Sequence, residues 1–319
     1  SFSDGFVFQW NLIEGYAYFG GELHSPAFSR GITLSFDGAQ NVKILNNWFK
    51  DNYLGGIAFG EDPDASRIGS GAMIINNIIS GINSSSVTDT TTLTAVRGIR
   101  MTIDNADPVD FDALISGNVF YNNGNANGNN NNGAYCLYLG NNADVIIGTV
   151  ENNIFYNNTN KGDLRLKTDD GNGYTITVTL DNNLYYRPAG DYILVGQGPL
   201  SSKLDEYPST RSFADFKNGI GDADEPNAAE SNWDEITRTG GSNELNSDPY
   251  FVSATNFNLQ NKSPCINAGT DPFSDGDGDQ YDMKDRLVWS DVTDAPVGPW
   301  ADGVDIGAYG DNTGPAIGM

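Results

Sequence analysis

Basic residues are scarce in this 319-residue chain, 17 Lys and Arg against 42 Asp and Glu, so their gathering in one place carries information. Arg100, Arg165 and Lys167, with Tyr138, fall in three similar segments, "GIRMTID", "YCLYLGN" and "DLRLKTD". If each is a strand with Ile99, Met101 and Ile103 turned inward, then Arg100, Thr102 and Asp104 turn outward. The same alternation puts Thr33, Ser35 and Asp37, then Ala58 and Gly60, outward on earlier segments. On later ones it turns out Cys136 and Tyr138, then Arg165, Lys167 and Asp169. Aligning Gly133 with Gly162 sets Tyr138 directly against Lys167 on adjacent repeats, with Arg100 two repeats away. A basic and aromatic groove on a sheet face suits an acidic polysaccharide, since arginine pairs bidentately with uronate or sulfate groups. β-Elimination of a uronate needs its carboxylate neutralised, a base for the C5 proton and an acid for the leaving oxygen. Lys167, its pKa lowered by Arg165, is the candidate base and Tyr138 the candidate acid. Arg100, Thr102, Asp104 and Asp169 are the candidate substrate-binding residues. The plainer alternative is that Arg165 and Lys167 only pair with Asp163, Asp169 and Asp170 on a solvated face.

Two acidic constellations compete with this row. Asp37, Asp62, Asp104 and Asp169 lie near the ends of successive strand-like segments, with Asp107 and Asp110 close by. Paired carboxylates there could serve as general acid and base of an inverting glycosidase, hold Ca²⁺, or simply cap turns. In "DPFSDGDGDQYD" (271–282), Asp275, Asp277, Asp279 and Asp282 are candidate Ca²⁺ ligands, flanked by Asp271 and Asp285. Alternate carboxylates on a glycine-bent loop are what a hard, oxygen-seeking cation requires, although the spacing is not that of an EF-hand. An ordinary Asp–Gly turn is the alternative. His24 is the only histidine, which excludes multi-histidine zinc sites and leaves little room for a Ser-His-Asp triad. No phosphate-binding or dinucleotide-binding glycine loop and no CxxC is present.

What must position these residues is a repeat. "FVFQWNLI", "VKILNNWF", "AMIINNII", "ALISGNVF", "VENNIFY" and "TVTLDNNLYY" share apolar alternation, then Asn, then a bulky apolar pair. Their asparagines align as Asn11, Asn47, Asn77, Asn118, Asn153 and Asn183, and a second strand follows each. Two strands and one Asn corner, repeated with loops of variable length, point to an all-β fold, a right-handed parallel β-helix of about six or more coils. Inward asparagines stacked at one corner would form a ladder; a β-propeller is the rival, but it needs four strands in each blade. Residues 1–200 are expected to hold the coils, 201–247 a loop-rich connection with a short helix near "SFADFKN", and 248–319 a terminal β-helix or capping segment. The low-complexity run 122–133 is expected to be a mobile loop.

Composition narrows the class. Gly and Asn contribute 38 residues each, which disfavours helical bundles. A formal charge of −25 excludes nucleic-acid binding by counterion release and disfavours an anionic membrane. No apolar run is long enough to span a bilayer. Two cysteines, Cys136 and Cys265, could form one bridge but are expected to be buried thiols. No signal peptide is visible, and the abrupt, strand-like start reads as a processed or truncated chain. Acidity and Asn/Gly/Asp richness suit a secreted, periplasmic or cell-surface bacterial protein.

The segment "DPYFVSATNFNLQNKSPCINAG" (248–269) resembles the "D-P-x-F-V … L … S-P-x-I-x-A-G" sequence that ends many bacterial right-handed β-helix repeat proteins. "DIGAYG" (305–310) is similar to their closing "D-I-G-A-Y-E", departing at Gly310, and "DGDGDQYDMKDR" to the turn between the two. The resemblance covers the last 70 or so residues closely and the repeats loosely, and it implies the fold. It leaves activity open, because such proteins include polysaccharide lyases, glycosidases, epimerases and surface modules. The Lys–Arg chemistry above resembles that of the chondroitinase B and alginate lyase family, and the Asp-pair chemistry that of β-helix pectin hydrolases. No motif of the lyase family aligns here, so no residue role is carried over. The leading expectation is a polysaccharide lyase. A glycoside hydrolase and a non-catalytic carbohydrate-binding or surface module remain the alternatives.

Overall fold

The residue before each aligned asparagine has to turn the chain. Trp10, Asn46, Asn76, Gly117, Asn152 and Asn182 all take a left-handed backbone, with φ between 53° and 65°. Gly, and Asn more than other residues with a Cβ, tolerate that conformation, which explains the Asn-Asn doublets: the first makes the corner, the second the ladder. The corner also cuts each apolar segment into two short strands. Each repeat therefore carries three strands, not the two read from the sequence.

The computed structural model describes residues 5–14, 32–33, 41–51, 55–59, 71–82, 97–103, 113–123, 135–141, 145–158, 162–168, 176–188, 195–196, 236–240, 243–266, 268–270, 288–290 and 295–297. Among them there is no helix. A first sheet stacks Val7–Gln9, Lys43–Leu45, Ala72–Ile75, Ala113–Ser116, Val145–Glu151, Ile176–Asp181 and Ile236–Gly240. A second stacks Leu12–Glu14, Trp48–Lys50, Ile78–Ser80, Val119–Tyr121, Ile154–Tyr156 and Leu184–Tyr186. The third stacks Ile32–Thr33, Gly55–Phe59, Arg97–Ile103, Tyr135–Asn141, Gly162–Thr168 and Val195–Gly196. Every pairing in these three sheets is parallel, and each strand bonds the third strand after it. The architecture is an all-β one of stacked parallel sheets, consistent with a solenoid.

Inside, like stacks on like. Ile44, Ile74, Ile115, Val150 and Leu180 align across the first sheet, all fully buried. Across the second, the Phe120, Phe155 and Tyr185 rings stack at 4.7 and 4.9 Å, 2° from parallel. Each such side chain contributes about 1.5–3 kcal/mol by leaving water.

The ladder runs along the corner between the first and second sheets. The backbone N–H and Nδ2 of Asn11 both donate to Oδ1 of Asn47, and the pattern repeats through Asn77, Asn118, Asn153 and Asn183 at 2.9–3.0 Å. Asn47, Asn77, Asn118, Asn153 and Asn183 are at most 2% exposed, as expected from the repeat. Glu244, itself fully buried, ends the row by accepting from the N–H of Asn183 at 2.7 Å and its Nδ2 at 3.1 Å.

The repeat does not stop near residue 200. Ile236–Gly240 extends the first sheet, and Leu245 bridges to Leu184. The following hairpin, Phe251–Ser253 against Asn256–Leu259, lies on the outer face of the second sheet. There Phe257 meets Trp48 and Tyr121 edge-on at 5.8 and 5.3 Å, and Phe251 meets Tyr156 at 5.7 Å. The outward residues Ile78, Val119, Ile154 and Leu184 are apolar and need that cover. Asn152 then grips Thr270, donating to its carbonyl and accepting from its N–H. Residues 248–270 thus line a face of the stack. The expected helix near "SFADFKN" lies outside the described residues. Of the run expected to be a mobile loop, Asn122 makes a second corner with φ 52° and Asn123 is buried.

Candidate functional site

The third sheet carries the candidate row. Ile99, Leu137 and Leu164 align and are fully buried, which fixes the inward positions. At the next position Arg100, Tyr138 and Arg165 stand in register on three consecutive strands, between Ala58 on one side and Gly196 on the other. Two residues further along, Thr102, Gly140 and Lys167 form the next row. Neighbouring strands lie about 4.8 Å apart, so Arg100 and Arg165 flank Tyr138 with backbones about 10 Å from each other.

This register corrects the sequence alignment. Tyr138 stands beside Arg165, and Lys167 stands beside Gly140, because Gly162 pairs with Tyr135. Arg100 is one repeat from Tyr138, not two. Tyr138 is also not on an open surface: it is 6% exposed, although it belongs to neither apolar cluster.

Cys136 is corrected too. It is fully buried within the apolar core, as is Leu137 beside it, so alternation slips where the strand leaves the second corner. The preceding repeat has Gly98 there, where an added Cβ would lie 2.5 Å from the Cys136 carbonyl oxygen and 3.1 Å from the Phe120 ring. Cys136 and Cys265 are both free and buried, as expected.

That second corner holds a polar cluster. The N–H of Ile82 donates to Asn123 Oδ1 and the N–H of Asn123 to Asn158 Oδ1, both at 3.0 Å, a short second ladder. Asn158 Nδ2 then donates to Asp163 Oδ1 at 3.1 Å. Asp163 is 1% exposed and forms an ion pair with Arg187 at 3.3 Å, so it is not the surface partner of Arg165 or Lys167 suggested by the sequence. Burial pushes its carboxyl pKa up, while Arg187 and the bond from Asn158 pull it back. The Cys136 thiol lies 4.0 Å from the same carboxylate; burial, then the Asp163 charge, raise its pKa well above the usual thiol value, which keeps it protonated and unreactive.

Asp104 and Asp169 lie outside the described residues, as do Asp37, Asp62, Asp107, Asp110, Asp170 and His24. So does the whole candidate Ca²⁺ loop, with Asp275, Asp277, Asp279 and Asp282. Among the described residues no three His, Cys, Asp or Glu side chains gather to hold a metal ion, and no helix is long and apolar enough to cross a membrane. Sequence reasoning missed Glu244 and Arg187, and gave Asp163 only as a surface partner. Only the corner was signalled: "YNN" recurs at 121–123 and 156–158, and "YRP" stands at 186–188 in its place. No protein-family model, curated protein or solved structure matches this chain.

Proposed function

We propose that the chain is an exported right-handed parallel β-helix of about six or more coils, of the kind found in bacterial β-helix repeat proteins, and that its third sheet cleaves an acidic polysaccharide by β-elimination. The observation that carries this reading is the in-register Arg100–Tyr138–Arg165 row in a chain of charge −25. Two arginines with backbones about 10 Å apart suit successive anionic groups along a sugar chain. Arg100 and Arg165 neutralise uronate carboxylates, Lys167 takes the C5 proton and Tyr138 protonates the leaving oxygen. Gly140 beside Lys167 adds no side chain of its own, which leaves room for a sugar ring. Thr102 completes that second row.

The test is a screen of uronate polymers read for the 4,5-unsaturated product in the ultraviolet. Absorbance rising with at least one polymer is the expected result, and no product from any polymer overturns the lyase assignment. Burial of Tyr138 supports a second reading, in which the row binds the polymer without cleaving it. Binding without product in the same screen selects that reading.

In the same reading the 271–285 loop holds a structural Ca²⁺ through Asp275, Asp277, Asp279 and Asp282. Chelation is then expected to lower Tm, with Ca²⁺ restoring it, and Asp277→Ala to remove the response. An unchanged melting curve with and without chelator makes the loop an ordinary turn.

A further inference from the structure

Apolar alternation fixes which face a strand turns inward, but it does not fix register by itself. A slip of one residue would expose Leu164 and bury Arg165, and is strongly opposed. A slip of two preserves the alternation: Leu166 would meet Leu137, although Leu164 would then meet Tyr135 and Leu139 would meet Thr168. The outer face would change, however. Lys167 would then stand beside Tyr138, and Arg165 would move off it. The leucines oppose that arrangement only through one lost leucine pair, so a stronger constraint on register has to come from elsewhere.

We propose that Asp163 is a positioning residue: held by Arg187 and Asn158, it locks the strand Gly162–Thr168 against Tyr135–Asn141, so that Arg165 stays beside Tyr138 and Lys167 beside Gly140. Asp163 lies two residues before Arg165 on the same strand. Its carboxylate is reached from three other places in the chain: Asn158 after the strand Ile154–Tyr156, Arg187 after Leu184–Tyr186, and Cys136 on the strand that carries Tyr138. A two-residue slip would carry it about 6.5 Å along the strand, out of reach of all three. A buried carboxylate stripped of its cation is among the costlier defects in a protein interior, whereas in register Asp163 keeps the Arg187 cation at 3.3 Å and the bond from Asn158. A neutral asparagine could continue the short ladder with one bond, but its displacement would cost far less. The charge is therefore what makes the register unique. The consequence for Arg165 and Lys167 rests on the function proposed above; the lock itself does not.

Disulfide trapping reads register directly, because only neighbours in register bring Cα atoms within the roughly 4.4–6.8 Å that a disulfide spans. In the otherwise native chain, Gly140→Cys with Lys167→Cys should cross-link on mild oxidation and Tyr138→Cys with Lys167→Cys should not. Adding Asp163→Asn and Arg187→Met should raise the 138–167 cross-link about tenfold or more, and restoring both native residues should abolish it. If the neutral pair leaves the 138–167 cross-link absent, or if that cross-link forms equally in the native background, the lock is overturned. Should the doubly neutral protein not fold, Asp163→Asn alone, which keeps the bond from Asn158, decides by the same readout. Arg187→Lys, which keeps the charge, should behave as native. No ligand enters this experiment. A chain that shows the shift but binds no uronate polymer therefore keeps the lock and loses the proposed function.

Discussion

The second and third sheets are wound from the same repeat, yet their outer faces differ in kind. The second turns out Ile78, Val119, Ile154 and Leu184, with stacked Tyr121, Tyr156 and Tyr186 beside them. Phe251, Phe257 and Leu259 cover that face with the chain's own later residues. Across the third, Ala58, Arg100, Tyr138, Arg165 and Gly196 follow one another in register. The left-handed corners and the inward stacks constrain both sheets alike. Outward positions are left free, and the chain spends the face of the second sheet on self-docking, while the third carries Arg100 and Arg165 in register with Tyr138. Stability should therefore reside in the first face and activity in the second.

The largest effect is expected on the third sheet. If Lys167 is the base, Lys167→Ala should cut turnover about 100- to 10,000-fold while leaving Tm and most of the binding unchanged. Lys167→Arg should not rescue the rate, because a guanidinium stays protonated. Steady-state rates on a polymer that the native chain cleaves provide the check. Native turnover in Lys167→Ala moves the search to the aspartate rows.

The converse substitution sharpens the contrast. Phe257 is 3% exposed and touches Trp48, Tyr121 and Phe251. Phe257→Ala should cost about 3 kcal/mol of stability in a denaturant titration, from lost burial and the cavity left behind. Polymer binding by the fraction still folded should stay native. A loss of binding at unchanged stability would reverse the proposed division between the faces.

How much of this was legible in the sequence follows from what repeats. Asn47, Asn77, Asn118, Asn153 and Asn183 recur at one position in each unit, so their burial and stacking could be read by alignment alone. The third strands carry no such marker. Alignment by Gly133 and Gly162 sets Lys167 beside Tyr138 instead of Gly140, because a two-residue slip leaves leucine alternation unchanged. Asp163 and Arg187 resisted reading for a related reason: they lie 24 residues apart and occur once, so no periodicity joins them. Glu244 stands where a further ladder asparagine would, but 61 residues after Asn183, past the point where the repeat fades from view. Alternation predicts Tyr138 outward, whereas it is buried at 6% exposure, through contacts that alternation does not encode.

The smallest effect is a pH dependence, expected at the corner where the two faces meet. Among the described residues, the charged and titratable groups facing Asp163 there are Arg187 and Cys136, with Asn158 and Asn123 beside them. Burial raises the folded-state pKa of Asp163 above the ordinary carboxylate value, and Arg187 is the main influence lowering it again. A carboxyl raised in this way binds its proton more tightly folded than unfolded. Its ionisation therefore costs stability above the folded pKa, and that cost is recovered as pH falls toward the ordinary value. Arg187→Met removes the cation, raises the pKa further and enlarges the cost at neutral pH. The Tm deficit of Arg187→Met against the native chain should accordingly be greatest near about pH 7 and shrink toward about pH 4, with Cys136 protonated throughout. Arg187→Lys should track the native curve across the same range. A deficit that is flat with pH would mean that Arg187 acts on the corner through packing rather than charge. The boundary between the two faces would then be held by shape alone.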